Sequence, residues 1–341
     1  MISKIFEFLY DKIFVNIIVK KSTTLVYIEQ YGRNKITSTK SKVFETITLS
    51  EEMVSFIKAS ITESPFYYIS ILDHTLYQGA FPVCTRKSLA YFKNVDSDEI
   101  VCIRNSWSVY TPKDELYAIE RAYKDIGIDF VFSPFIVLSH IFKDKLDTKM
   151  SMFILIEEEK LSLSVFDDFD LVYAEYLSIA EDDEETLIDE EDEDDLDDDF
   201  LNDDFGLDDL DELDDLGGLD DMEELDDFGN IEDLDSLDDI DEFSDAKEIS
   251  QSSDMEESND SAAANFQNDY QRFLTIQDSV NNFYKSEKYK SEFVENVYLA
   301  DTVGIGDLKR YLEDEMFMNV FTRKISIEEV LSEIARLELA V

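Results

Sequence analysis

From Met152 to Leu177 the chain reads MFILIEEEKLSLSVFDDFDLVYAEYL. Few folds accommodate such a stretch. Met152 to Ile156 is one apolar run. Leu161, Leu163 and Val165 then alternate with Ser162 and Ser164, a period of two that marks a half-buried strand. Asp167-Asp168-Phe169-Asp170 supplies turn residues. Leu171–Leu177 sets Val172, Ala174 and Tyr176 on one face of a third strand. An earlier segment has the same outline: strands over Phe14–Val19, Thr24–Glu29 and Lys35–Phe44, with turns at Lys20-Lys21-Ser22 and Tyr31-Gly32-Arg33-Asn34. Two three-strand meanders about 140 residues apart predict an internally duplicated fold, on pattern alone.

Charge divides the chain. The 341 residues carry a formal net charge of −51, yet Glu181–Asp245 alone holds 37 Asp or Glu and no Lys or Arg, leaving −14 on the other 276 residues. Within this tract, from Leu207 to Phe243, an apolar residue recurs every third position. A period of three slips about 60° around a 3.6-residue helix at each step, and neighbouring carboxylates repel. Residues 182–264 are therefore expected to be a disordered acidic low-complexity insertion, its last part a Ser/Asp/Ala linker. Such a tract offers basic partners an electrostatic target. No basic stripe exists, which argues against direct nucleic-acid binding.

Several chemistries lack their residues. His74 and His140 are the only histidines, so no metal centre is expected. Cys84 and Cys102 form no disulfide framework and read as buried free thiols. Asp73, His74 and Cys84 have no nucleophile-elbow spacing and read as strand-end residues. The acidic tract contains no complete EF-hand loop. MISKIFEFLYDKIF lacks the features of a signal peptide, and no apolar run approaches the roughly 20 residues that span a bilayer. A soluble, intracellular chain is the expectation.

Along the chain, Ile2–Phe14 reads as an amphipathic helix with Ile2, Ile5, Phe6, Leu9 and Ile13 on one face. That face suits a partner's groove, a membrane surface, or the chain's own domain. Ser50 with Glu51-Glu52 starts a helix to about Glu63. Phe66–Leu72 is a strand, continued by Leu76–Pro82, and Glu99–Arg104 is another. Thr111-Pro112 opens a helix to about Asp125. Trp107 reads as a core anchor. Phe130–Phe132 is a strand, and Ser133-Pro134 opens an apolar helix. Past the tract come a helix over Gln267–Tyr289, a strand over Phe293–Leu299, a turn at Asp301–Gly306, a helix from Asp307, a strand at Val320-Phe321 and a last helix after Ser326.

This order resembles the actin-like ATPase fold. It is similar in particular to the PilM/GspL branch, cytoplasmic actin-like proteins of type IV pilus and type II secretion systems. Three segments carry the resemblance. Phe153–Tyr173 sits where the family has its second phosphate hairpin. Val297–Val320 looks like the strand, glycine turn and helix under the adenine. Leu116–Leu138 is similar to the helix that ends the first subdomain. The implied fold class is α/β: an actin-like (ribonuclease H-like) duplicated fold. Residues 1–14 would be the N-terminal helix, 15–148 the first subdomain and 149–341 the second, interrupted by the insertion.

The departures from the family pattern imply a degraded nucleotide site and no cofactor. The first hairpin turn, with Lys20, Ser22 and Thr23, has neither the Asp nor the Gly of an active member. Glu157, Glu158 and Glu159 stand in the second, where three carboxylates would repel phosphate. Asp301 and Thr302 occupy the place of paired glycines, with Gly304 and Gly306 close by. No catalytic residue is expected. The resemblance implies a non-catalytic scaffold on the cytoplasmic face of an inner membrane. Its expected partners are membrane-assembly proteins and the assembly ATPase of a pilus, secretion or DNA-uptake machine. Two rivals stand beside it: an acidic adaptor or chaperone acting through the tract, and a divergent actin-like ATPase.

Overall fold

The computed structural model describes residues 10–179 and 256–339, with the side chains of 256–267 excepted. The chain begins with β1 (Lys12–Val19), β2 (Thr24–Gly32) and β3 (Lys35–Phe44), then α1 (Glu51–Ile61) and β4 (Tyr67–Leu72). Next come β5 (Gly79–Phe81), α2 (Arg86–Leu89), β6 (Asp98–Ile103), β7 (Trp107–Pro112), α3 (Lys113–Ala122), β8 (Phe130–Phe132) and α4 (Pro134–Ile141). The second meander is β9 (Ser151–Ile156), β10 (Lys160–Asp167) and β11 (Asp170–Ser178). After it come α5 (Glu256–Lys285), β12 (Asn296–Asp301), α6 (Leu308–Met316), β13 (Asn319–Lys324) and α7 (Ile327–Leu339).

Two five-stranded sheets repeat one topology. Their orders are β3-β2-β1-β4-β8 and β11-β10-β9-β12-β13. In each, the meander is antiparallel, and two further strands add in parallel beside its first strand. This is the actin-like (ribonuclease H-like) order, present twice. A smaller antiparallel sheet, β5-β7-β6, is inserted between β4 and β8.

The first strand of each sheet is buried on both faces, which is why it reads as an unbroken apolar run. On β1, Ile13, Val15 and Ile17 pack outward with Met53 and Ile57 of α1 and Ile119 of α3. Phe14 and Ile18 pack inward, in a cluster shared with Phe153 and Leu155 of β9 and with residues of α4 and α7. On β9, Met152, Ile154 and Ile156 pack with Ile276 and Phe283 of α5 and Leu312 of α6. The inner layer joins the subdomains. Phe153 stacks on Tyr298, ring centroids 5.2 Å apart, and Asn16 of β1 donates to Glu328 O (2.7 Å) and Ser332 Oγ (2.6 Å) of α7.

Five expectations change here. The helix expected over Ile2–Phe14 does not extend to Phe14. Ile13 is 1% exposed in β1, unavailable to a partner, because strand pairing with β2 and β4 claims it. Ile2, Ile5, Phe6 and Leu9 lie outside the described residues, as does the expected disorder of 182–255. At the far end of the tract, α5 begins at Glu256, earlier than the linker boundary at 264 allowed. Ser162 and Ser164, expected to face solvent, are buried because α4 packs over that face of β10, and small side chains admit it.

The fourth change is Cys84 and Cys102, which are disulfide-bonded with Cα atoms 5.3 Å apart. Antiparallel pairing of β6 with β7 brings Cys102 opposite Ser108, and Ser108 Oγ holds Val83 O at 2.7 Å beside Cys84. Besides Ala80, Trp107 and Val109, which join the main core, the small sheet buries a separate cluster of Phe81, Leu89 and Val95, and on so small a core a cross-link counts most. Leu76–Pro82 is likewise no continuation of β4: Gly79–Phe81 pairs with β7 instead.

Candidate functional site

The two sheets turn their first hairpins toward one cleft holding a cavity of about 400 Å³. Lys20 and Lys21 come from the β1–β2 turn, Glu157 to Lys160 from the β9–β10 turn, and His74 from the end of β4. Thr302 and Val303 follow β12, and Ile325 to Glu328 lead into α7. Ile18, Val19, Leu25 and Tyr176 complete an apolar wall. Lys21 and Glu159 pair across the mouth at 3.2 Å, directly linking the two hairpins.

In the turn after β12 and at the start of α6, the backbone amides are already occupied by the protein's own carboxylates. Asp301 Oδ1 accepts from the N–H groups of Val303 (3.0 Å) and Gly304 (2.8 Å), and its Oδ2 from Ile305 (3.2 Å). Asp269 Oδ2 accepts from Gly306 (2.7 Å), Asp307 (2.9 Å) and Leu308 (3.4 Å), capping α6. Such amides at a helix start are where phosphates bind. Arg272 Nη1 fixes the other oxygen of Asp269 at 2.9 Å, and both side chains are buried. Gly304 takes φ +84°, a left-handed conformation that favours glycine and lets the turn close on Asp301.

Inside the cleft, charge is costly. Part of Glu157 reaches the surface, but its Oε2 is sealed from solvent and has no partner among the described residues. Burial pushes its carboxyl up to about 7, against a weaker opposing pull from Lys160. Lys160 is lowered by burial, and its Nζ donates to the carbonyl of His74. Burial also lowers the His74 imidazole and raises the Tyr176 phenol, whose oxygen is sealed and unpartnered.

Two family models cover most of the chain. One described as Domain of unknown function (DUF8569) matches residues 10–139. Another, described as Domain of unknown function (DUF8341), matches residues 152–340, more than half of the chain. The chain belongs to the DUF8341 family. No curated protein matches the DUF8341 chain. Among solved structures it is similar to a Bacteroides thetaiotaomicron protein with an actin-like ATPase fold and unknown function. The identity is 10%, covering 95% of this chain and 97% of that one, with a TM-score of 0.46. It is also similar to the PilM–PilN type IV pilus biogenesis complex: 11% identity over 49% of this chain and 61% of that one, TM-score 0.34. An Aquifex aeolicus Ppx/GppA family member matches at 9% identity over 49% of this chain and 51% of that one, TM-score 0.26.

Of the nucleotide-site positions singled out in the sequence, the structure brings Lys20, Glu157, Glu158, Glu159 and Thr302 into the cavity wall of the DUF8341 chain. Ser22 and Thr23 do not line it, and Asp301 and Gly304 form the turn beneath it. The group Asp73, His74 and Cys84 dissolves. Asp73 accepts from Thr75 Oγ1 and Thr111 Oγ1, both at 2.7 Å, while Cys84 is cross-linked. Sequence reasoning missed Asp269 and Arg272. A signal was present: they extend the stripe of Phe273, Ile276, Val280 and Phe283 by one turn. A charged i,i+3 pair on a core-facing stripe needs a buried partner.

Among the described residues no helix is long and apolar enough to cross a membrane, and none group as a metal site.

Proposed function

We propose that this protein is a non-catalytic scaffold of an inner-membrane assembly platform for type IV pili, type II secretion or DNA uptake. The supporting observation is the filled turn after β12. The actin-like fold keeps its interdomain cleft, while Asp301 and Asp269 take the amides of the turn that the resemblance sets under the adenine. Phosphoryl transfer depends on positioned positive charge and metal, and three glutamates line the second hairpin instead. The nature of the machine rests on the PilM/GspL resemblance. Affinity capture of the tagged full chain from detergent-solubilised membranes of its host is expected to enrich membrane-anchored assembly subunits. Recovery of soluble enzymes alone would sink the proposal.

Calorimetry with magnesium-ATP at millimolar concentration is expected to show no binding. A micromolar dissociation constant would instead support the ATPase reading, with Glu157 the first residue to replace.

The acidic-adaptor reading is favoured by one feature, the 37 acids of Glu181–Asp245. The ends flanking the tract belong to one compact unit. Replacing residues 182–255 with a short Gly/Ser linker is expected to leave the melting transition in place, since closure entropy changes slowly with loop length. Insolubility or a lost transition would contradict this. Capture of membrane subunits by the shortened chain supports the scaffold; loss of every partner supports the adaptor.

A further inference from the structure

We infer that residues 2–9 seat in a groove of their own chain, at the far end of the subdomain seam from the cleft. The groove has a volume of about 830 Å³. Two elements run from one site to the other. On β1, Ile18 and Val19 line the cleft and Phe14 lines the groove. On α7, Ile327 and Glu328 line the cleft, while Leu337 and Leu339 line the groove. Tyr31 joins the wall because β2 pairs it with Lys12 at the start of β1. The walls hold apolar surface that the described residues leave uncovered: Leu337 is 54% exposed and Tyr10 is 48% exposed. Apolar surface gathered on the rim of a groove marks a contact site.

The point where the chain enters the groove selects the occupant. Tyr10 and Lys12 line it, so the segment that precedes them is tethered at the wall. A tethered segment meets its seat at a high effective concentration, which favours it over a free partner. Ile2, Ile5, Phe6 and Leu9 give that segment an apolar stripe. Eight residues in a helix span about 12 Å, short enough to stay beside the wall that begins at Tyr10. Charge agrees as well. Lys4 and Glu7 stand on the polar side of the stripe. The rim offers both signs, with Arg33, Lys143 and Glu333 exposed on it, so each has an opposite charge to face. An isolated helix this short is marginal in water and gains its order from a surface; the groove is a surface its tether already touches. While the segment is seated, its stripe is closed to a membrane or a partner. The seat stands whether or not the protein is a scaffold.

The test is amide hydrogen exchange of the full chain at neutral pH, read by mass spectrometry over residues 2–9. Exchange at least about tenfold slower than in a synthetic peptide of the same sequence is expected. Leu337→Asp on the groove rim and Ile5→Asp in the segment should each return it to the free-peptide rate. Val43→Asp, at an apolar position on β3 as exposed as Leu337, should change nothing. Circular dichroism melts establish that each variant is folded, and Leu337→Gln is the milder groove variant should the aspartate disrupt α7. Free-peptide rates in the unaltered chain overturn the inference. So does protection that survives both Leu337 variants, because the seat is then elsewhere. Protection that rises with protein concentration assigns the segment to a second copy. Protection that appears only with phosphatidylglycerol vesicles assigns it to a lipid surface. Either result overturns seating in its own chain.

Discussion

Asp269→Ala is expected to lower the unfolding free energy by about 3–5 kcal/mol, the range for removing one partner of a buried ion pair. Asp269 is 1% exposed and accepts four hydrogen bonds. Three come from the amides of Gly306, Asp307 and Leu308 leading into α6, which no local side chain caps: Asp307 at the N-cap makes no capping bond. The fourth comes from Arg272, itself 6% exposed, which would be left as a buried cation. Arg272 also reaches the carbonyl of Glu158 at 3.4 Å, so the damage extends to the cleft hairpin. Denaturant unfolding should show a lower midpoint at an unchanged slope. Asp269→Asn keeps an acceptor for the amides and should cost less than the alanine. A loss under about 1 kcal/mol for the alanine would show that the cap carries little.

Arg336→Met should cost a similar amount, about 3–5 kcal/mol at pH 8, and much less near pH 4. Arg336 of α7 is the ion-pair partner of Glu29 on β2, which is 1% exposed and has its second oxygen sealed and unpartnered. Methionine keeps the apolar stem but removes the guanidinium, whose carbon lies 4.9 Å from the centre of the Tyr31 ring. What is lost is the charge. Burial already raises the Glu29 carboxyl above its ordinary value, with Arg336 pulling it back down. Removing Arg336 raises it further. A carboxyl raised in the folded state favours folding fully below its unfolded pKa, and loses that contribution as pH climbs through the folded value. The variant's deficit must therefore grow with pH. Glu29→Gln combined with Arg336→Met should recover most of the loss, because no uncompensated charge remains. A deficit independent of pH, or no recovery in the double variant, would show that packing rather than charge is at stake.

Both predictions concern residues that a linear reading passes over, and the reason is physical. Period-two alternation and apolar runs are local, so the two meanders were legible to within a few residues. Phe130–Phe132 was legible as a strand for the same reason. Caps are local too: Ser50 Oγ accepts from Met53 N–H at 3.2 Å, and Ser133 Oγ from Phe135 N–H at 3.4 Å, each within three residues. Duplication followed from the repeated outline, and the strand order then made it actin-like.

Tertiary structure decided what depends on distant neighbours. Ser162 and Ser164 alternate as solvent-facing residues would, yet α4 covers them. Ile13 fits a helical stripe as well as a strand, and pairing with β2 and β4 settled it. Cys84 and Cys102 lie 18 residues apart, a spacing without information until β6 and β7 pair. Asp269 caps a helix that begins 39 positions later. The carboxylates of the cleft could be named from the sequence. Only the folded chain shows that Asp301 and Asp269 fill the amides of the turn after β12 while Glu157 is left with an unmet acceptor. Desolvation and hydrogen bonding act across space, and sequence spacing does not encode them.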